Sequence, residues 1–312
     1  MMKAFVCFLL LVMTTVVNAE GYKPYKPNQP QIGSSSSIGS DTLNNMMTLW
    51  LEKFQKFHPS VKISIEGKGS STAPPALISG TAQLAPMSRA MKNKEVDKFE
   101  EKFGYKPTQF RVALDALAVF VNKDNTIEGL TLQQVDAIFS KNRKRGYIES
   151  IDNWDKLGIP LGVVSLYGRN SASGTYGFFK KVALDKGDFK SSVKEQPGSA
   201  SVVQGVSIDR SGIGYSGIGY MTSGVRTVPL GTTEGKYYDT SEENVLNGKY
   251  PLGRFLYVYV NKAPNKKLQP IVEEFIRFIF SEDGQHVVEK DGYMRVPAAI
   301  IEGELDKLIK VL

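Results

Sequence analysis

One loop constrains this chain more than any other stretch: Gly168-Arg169-Asn170-Ser171-Ala172-Ser173-Gly174-Thr175. A short apolar run, Val163 to Tyr167, precedes it, and a helix-like run, Phe178 to Leu184, follows. Strand, glycine-containing loop and helix in that order put Ser173, Gly174 and Thr175 at a helix N-terminus. There the first backbone N–H groups lack intrahelical partners and the helix dipole is positive. Ser and Thr hydroxyls add donors, glycine permits close approach of the backbone, and Arg169 adds a rigid fork of N–H groups. An oxyanion fits such a place. A plain N-cap beside a solvated arginine fits it as well, so the loop alone does not decide.

Two further stretches repeat the chemistry. Gly39-Ser40-Asp41-Thr42 precedes a run from Leu43 to Phe57 with apolar residues at 43, 46, 47, 50, 51, 54 and 57, which is helical spacing. Gly67-Lys68-Gly69-Ser70-Ser71-Thr72 follows an alternating strand, Val61 to Ile65, and precedes a short helix at Ala76–Ser79, with Pro74 and Pro75 suited to its first turn. Each is a Gly/Ser/Thr loop opening a helix, and their recurrence suggests convergence on one anion. Ser88-Arg89, at the end of the short buried-strand pattern Gly80 to Met87, offers a second basic side chain, which reads equally well as a surface arginine.

Two apolar strands stand out. Val112 to Val121 is nearly continuous, as in a strand covered on both faces, with Asp115 in its middle. A buried acid costs free energy unless it is hydrogen-bonded, so Asp115 either meets backbone donors at a domain junction or faces a ligand cleft. Arg254 to Asn261 matches it in length and character. Helices are expected at 92–103, 132–139, 201–206, 271–280, 284–288 and 298–312, and a glycine-rich strand at 212–221. Strands alternate with helices, so the class is α/β. The two long strands read as two chain crossings between two lobes, which splits the loops, two in the first lobe and one in the second, around a cleft. The expected division is 38–114 plus 257–312 for lobe 1 and 115–256 for lobe 2.

The chain opens with Met1-Met2-Lys3, an apolar run from Ala4 to Val17 interrupted only by Thr14 and Thr15, and Asn18-Ala19. This is the pattern of a secretory signal peptide, residues 1–19, cleaved after Ala19; the run is short of the roughly 20 residues that span a bilayer. Cys7, the single cysteine, lies inside it with no lipobox-like spacing. The mature protein is therefore expected to be periplasmic or secreted, without disulfide, thiol chemistry or lipid anchor. Residues 20–37, with Pro24, Pro27, Pro30, Gly33 and four serines, read as a flexible leader. The chain's 312 residues are 41% apolar and 23% charged, ordinary globular values. Lys3 is the only charge in 1–19, so +7 becomes +6 on cleavage. That favours anions without indicating nucleic acid; the basic run Lys141 to Arg145 has no interleaved aromatics and reads as a solvated loop.

Taken in order, Gly39-Ser40-Asp41-Thr42, Gly69-Ser70-Ser71, Ala85-Pro86-Met87-Ser88-Arg89 and Arg169 to Thr175 resemble the periplasmic phosphate-binding proteins of phosphate ABC transporters. Ile218-Gly219-Tyr220, Tyr250-Pro251-Leu252 with Leu256 to Asn261, and Gly292-Tyr293 near Val296-Pro297 support the likeness, which covers about residues 36–300. The resemblance implies the two-lobed type II periplasmic binding protein fold, inorganic phosphate as ligand and an ABC permease as partner. It implies no cofactor and no metal, and the expected state is a monomer that binds no nucleic acid. Carried onto this sequence, the phosphate contacts fall on Ser40, Asp41, Thr42, Ser70, Arg169, Ser173, Gly174 and Thr175, with Ser88, Arg89 and Asp115 as further candidates. Well-known members carry an Asp where this chain has Ser88, and that Asp accepts the proton of bound phosphate. Asp41 is expected to supply the acceptor instead, with Asp115 second; Asp41 is alternatively only a helix N-cap.

Other function classes find little support in the residues. His58 and His286 are the only histidines, no Gly-x-Ser-x-Gly elbow surrounds Ser173 or Ser216, and there is no Walker loop or metal-ligand spacing. Catalysis is therefore not expected. A binding protein of the same fold for sulfate or molybdate, or a phosphate sensor without a transport role, remains open at the level of sequence.

Overall fold

The computed structural model describes residues 21–309. The expected signal peptide with Cys7, and the last residues of the helix expected over 298–312, lie outside the described residues. The first part of the chain forms β1 (Ile32–Ile38), α1 (Asn44–Phe54), β2 (Ser60–Glu66), α2 (Ala73–Ser79), β3 (Ala85–Met87) and α3 (Asn93–Phe103). A long strand, β4 (Thr108–Asn122), leads into β5 (Leu130–Thr131), α4 (Leu132–Phe139), β6 (Ser165–Arg169), α5 (Gly174–Val182), β7 (Lys194–Gln196) and α6 (Ser199–Ile208). There follow β8 (Gly212–Gly217), β9 (Val225–Thr227), β10 (Leu230–Thr233), β11 (Lys236–Tyr238) and α7 (Glu242–Leu246). The chain returns along β12 (Gly253–Val260) and ends in α8 (Pro270–Ile279), α9 (Glu282–Lys290) and α10 (Ala298–Ile309).

The local signals have physical counterparts. In α1 the apolar stripe buries Met46, Met47, Trp50 and Phe54, and the Trp50 indole N–H donates to the Gly284 carbonyl at 2.8 Å. Thr131 and Gln134 close a reciprocal capping box at the start of α4, each side chain taking the other residue's backbone N–H. Proline stands in the first turn of α2 and of α8, where its missing N–H costs nothing.

The main sheet runs in the order β3-β12-β4-β8-β6-β7, with β9 also beside β4. Strand β4 serves two partners in succession. Its first part, Thr108 to Ala116, pairs antiparallel with β12, and Leu117 to Val121 pairs antiparallel with β8. Two separate cores lie on either side of that change. One gathers Trp50, Phe54, Phe110, Leu256, Phe275 and Phe278; the other gathers Leu117, Phe139, Trp154, Phe179, Tyr215 and Leu252. Membership switches between Ala113 and Leu114 on β4 and between Leu252 and Leu256 at β12. The architecture is two-lobed α/β, with both crossings inside one sheet.

Two expectations need correction. Residues 32–37 are not a flexible leader: they belong to β1, which pairs in parallel with β2 from Ile32↔Ser60 to Ile38↔Glu66. Their serines hide a strand whose backbone ladder, rather than apolar side chains, holds it. Upstream, Tyr25 is buried in the first core, and its hydroxyl donates to Glu274 Oε1 at 2.8 Å. The glycine-rich strand also stops early, at Gly217, and Ile218–Tyr220 forms a 3-10 turn. The Ile218 N–H there donates to Asp115 Oδ1 at 3.0 Å.

The segment around Tyr25 is tied through a histidine. The Gln31 N–H donates to His58 Nδ1 at 3.1 Å, so the neutral imidazole carries its proton on Nε2, 2.7 Å from the Tyr25 hydroxyl oxygen. Burial lowers the His58 pKa, opposed by the Glu274 carboxylate. A pKa lower in the folded than in the unfolded state stabilises above about 6.5, and that contribution is lost as pH falls. A second proton would sit on Nδ1 against the Gln31 N–H. We expect amide exchange in residues 25–31, corrected for intrinsic chemistry, to rise between pH 7.5 and pH 5; unchanged protection would refute the tether.

Candidate functional site

The three loops meet where the lobes touch. The first two are bound to each other and to β3 by backbone: Gly69 N–H donates to Gly39 O at 2.7 Å, Ser40 N–H to Pro86 O at 2.8 Å and Gly39 N–H to Glu66 O at 2.9 Å. Ser40 caps the 3-10 turn Asp41–Leu43 that leads into α1, its hydroxyl accepting the Thr42 N–H at 3.2 Å. The cap is therefore Ser40 and not Asp41. The second loop enters a 3-10 turn, Ser70–Thr72, running into α2. From the other lobe, Ser173 caps α5 by accepting the Tyr176 N–H at 3.3 Å. Backbone joins the two sides, since the Ser71 N–H donates to Ala172 O at 3.1 Å.

Four buried hydroxyls converge at this junction. Thr42 Oγ1 lies 2.9 Å from Thr175 Oγ1, Ser70 Oγ lies 3.2 Å from Ser88 Oγ, and Ser88 Oγ lies 3.5 Å from Thr175 Oγ1. All four residues are at most 1% exposed. Glycine is required on both sides of the contact. Gly69 has φ of 114°, and a Cβ there would stand 2.6 Å from the Ala172 carbonyl oxygen. A Cβ on Gly174 would stand 2.2 Å from Ser70 Oγ and 2.6 Å from Ser88 Oγ.

Arg169, at the end of β6, is 2% exposed and faces the first lobe. Its Nη1 donates to Asp41 Oδ2 at 2.8 Å and to Ser199 Oγ at 2.7 Å, and its Nη2 donates to Pro197 O at 3.2 Å. Its Nε is buried without a partner among the described residues. Asp41 Oδ2 also accepts the N–H and the hydroxyl of Ser199, both at 2.8 Å. Asp41 thus bridges the lobes with one carboxylate oxygen.

The structure brings Ser40, Asp41, Thr42, Ser70, Ser88, Arg169, Ser173, Gly174 and Thr175 together. Two candidates are engaged elsewhere. Arg89 forms a two-pronged ion pair with Glu95, at 2.7 Å and 2.8 Å, and Glu95 also accepts the Lys92 N–H that opens α3. Asp115 lies beside the cluster, but both its oxygens are taken, one by the Ile218 N–H and the other by Arg254, whose Nε and Nη2 both stand 2.8 Å away. Sequence reasoning missed Arg254. The signal was present: an acid buried in one long strand needs a cation, and Arg254 opens the other long strand. Ser199 carried no comparable signal; the tyrosines Tyr220 and Tyr293, whose hydroxyls donate to the Asp41 and Thr42 carbonyls at 2.8 Å and 3.0 Å, stand in segments that support the family likeness without being site candidates there.

The profile of the family described as PBP superfamily domain matches residues 26–283. The phosphate-binding protein PstS of Pseudomonas aeruginosa is 56% identical over 281 residues, 88% of this chain and 87% of its own length. The PstS of Staphylococcus haemolyticus is 30% identical over 283 residues, 89% of this chain and 86% of its own. The chain belongs to the PBP superfamily and, within it, to the PstS phosphate-binding protein family. Among solved structures, a substrate-binding protein assigned to a phosphate ABC transporter of Clostridium perfringens, holding bound phosphate, superposes with a TM-score of 0.73 at 25% identity. That match covers 85% of this chain and all of the other. An ABC-type phosphate transport receptor from Vibrio cholerae shares the fold, with a TM-score of 0.66 at 22% identity over 85% of this chain.

The contact between the lobes predicts the behaviour of one variant. Gly174→Ala adds a methyl where the hydroxyls of Ser70 and Ser88 stand, while alanine is favourable in the first turn of a helix. Each lobe keeps its own core. The variant is expected to hold its melting temperature within a few degrees of the parent, while X-ray scattering gives a larger radius of gyration. An unchanged radius would show that the contact adapts to the methyl.

Proposed function

We propose that this chain captures inorganic phosphate between its lobes, outside the cytoplasm, and presents it to an ABC permease as a monomer. The observation that carries the reading is the meeting of four buried hydroxyls from both lobes beside an arginine whose Nε has no partner among the described residues. A tetrahedral oxyanion replaces its hydration by accepting from such donors. The names of the relatives supply the ligand: proteins with the same fold and 56% identity are called phosphate-binding. The reading is one of binding: the cluster offers hydrogen-bond donors and a cation, and one oxygen of its carboxylate, Asp41, is occupied by Arg169 and Ser199.

In this reading Thr42, Ser70, Ser88 and Thr175 turn their hydroxyls to the ligand, and the backbone N–H groups after Ser40, Gly69 and Ser173 add donors. Arg169 supplies the charge. Asp115 and Arg89 act from behind, through Arg254 and Glu95. The lobes are 38–114 plus 257–312 and 115–256, with β1 added to the first; they close about the two crossings. Lys3, the apolar run and Ala19 make an export signal, so capture takes place in the periplasm or outside the cell.

Asp41 is the proposed acceptor of the phosphate proton. Its Oδ2 holds Arg169 and Ser199, and its Oδ1 takes no hydrogen bond among the described residues. Protonated phosphate can donate to that oxygen; sulfate, without a proton, meets repulsion.

The test is isothermal titration of residues 20–312 with phosphate, with sulfate and molybdate as competitors. Tight phosphate binding that sulfate does not displace supports the reading, and sulfate binding in its place overturns it. Arg169→Ala should weaken phosphate binding by roughly 2–5 kcal/mol, since buried anionic charge is left without its cation. Asp41→Asn should lower the preference for phosphate over sulfate by about tenfold or more; an unchanged ratio removes Asp41 from that role.

A further inference from the structure

Arg254 in β12 stands directly opposite Asp115 in β4, and both are buried. Its guanidinium makes contacts in several directions at once. Nε and Nη2 hold Asp115 Oδ2, Nη1 donates to the Ser88 carbonyl at 2.9 Å, and Nη2 donates to Thr175 Oγ1 at 3.0 Å. The ring of Phe178, in α5, lies 5.2 Å from the guanidinium carbon. One side chain therefore touches the end of β3, the middle of β4 and the first turns of α5.

Chemistry fixes the direction of the bonds that the arginine makes. Arginine only donates. Thr175 Oγ1 must accept from it, and the hydroxyl proton of Thr175 is left to point elsewhere. Thr42 Oγ1, 2.9 Å away, and Ser88 Oγ, 3.5 Å away, are within its reach. Ser70 obeys the same logic: its oxygen accepts the Ser88 N–H at 3.0 Å, so its proton is directed outward, with Ser88 Oγ at 3.2 Å. In two of the four hydroxyls one acceptor position is thus filled from behind, which aims the proton away from that group.

We infer that Arg254, held by Asp115, is a positioning residue of the anion site: by filling one acceptor position of Thr175 Oγ1 it aims the Thr175 hydroxyl proton away from β12 and towards the junction. The inference rests on the phosphate reading above and deepens it. Arg254 acts through Thr175 and not by touching the anion. Its cationic hydrogen bond polarises the Thr175 hydroxyl and strengthens the bond that hydroxyl gives. The same guanidinium also holds the Ser88 carbonyl of the first lobe, so one side chain links that lobe to the oriented hydroxyl.

A double-mutant cycle on phosphate affinity tests this in the chain of residues 20–312. Arg254→Met should weaken phosphate binding about tenfold or more in the parent. In the Thr175→Val background, where no hydroxyl remains to orient, the same substitution should change affinity less than about threefold. Arg254→Met leaves Asp115 buried without its cation, so the cycle is repeated with Arg254→Met combined with Asp115→Asn, which removes both charges. Arg254→Lys restores a charge beside Asp115 without the fork that spans Ser88 and Thr175; it should recover the melting temperature but not the affinity. Equal losses in the parent and Thr175→Val backgrounds would mean that Arg254 is structural only, and so would full affinity in Arg254→Lys; either overturns the inference. If the unsubstituted chain fails to bind phosphate, the phosphate reading falls and the inference with it. Binding by the parent with an additive cycle overturns the inference alone.

Discussion

A carboxylate in the middle of a strand covered on both faces has to be answered by hydrogen bonds and opposite charge, because an unanswered buried charge costs several kcal/mol. Asp115 is that carboxylate, and much of the molecule is arranged around the answer. Arg254 meets it across the antiparallel ladder of β4 and β12, in register. The ladder is also the path by which the chain passes between its lobes. A pairing slipped by one residue would turn Arg254 to the opposite face of its strand and leave both charges stranded. The ion pair therefore specifies the register of the crossings, and through the remaining donors of Arg254 it reaches Ser88 and Thr175 as well.

From that point the site can be understood as two kinds of surface with different duties. Away from the junction, each lobe is sealed by its own aromatic core: Trp50, Phe54, Phe275 and Phe278 in one, Phe139, Phe179 and Tyr215 in the other. The Phe179 and Tyr215 rings are stacked with centroids 3.9 Å apart, and the Tyr215 hydroxyl accepts the Arg169 N–H at 3.2 Å. The core of the second lobe thus reaches directly to the arginine and fixes its backbone. Apolar packing supplies the stability; the polar groups at the junction are positioned by it.

Much of this was legible in the sequence, for identifiable reasons. The helices announced themselves by periodicity, as in the stripe through Met46, Trp50 and Phe54, and the loops by glycine and hydroxyl residues preceding helices. The second core's strands were readable as apolar runs. What escaped was held by tertiary register or by backbone. Strand β1 is Ile-Gly-Ser-Ser-Ser-Ser-Ile, whose side chains carry no strand pattern, and its stability comes from pairing with β2. Arg254 became a site residue only once the two long strands were aligned. Arg89 is the reverse case, a candidate whose two readings the sequence left open. Its partner is Glu95, six residues on, whose carboxylate already opens α3 by taking the Lys92 N–H. That acid was visible in the sequence and was sufficient to divert the arginine.

The polarity of the junction has a dynamic consequence. Two lobes joined through a large apolar face would stay together whether or not a ligand was present, since separation would expose that face to water. At the site itself the meeting groups are hydroxyls, a carboxylate, an arginine and bare backbone at Gly69 and Gly174, with Ile218 and Met294 as apolar side chains that pack across nearby. Groups of this kind exchange protein partners for water at a small net cost, about 1 kcal/mol for an ordinary hydrogen bond and somewhat more for a charged one. Parting these groups from one another therefore costs less than exposing an apolar face of the same size. An anion that satisfies the same donors in the closed form alone supplies the differential affinity that shifts an equilibrium between open and closed forms. The aromatic cores hold each lobe by itself, and the paired strands β4 and β12 join the lobes in register.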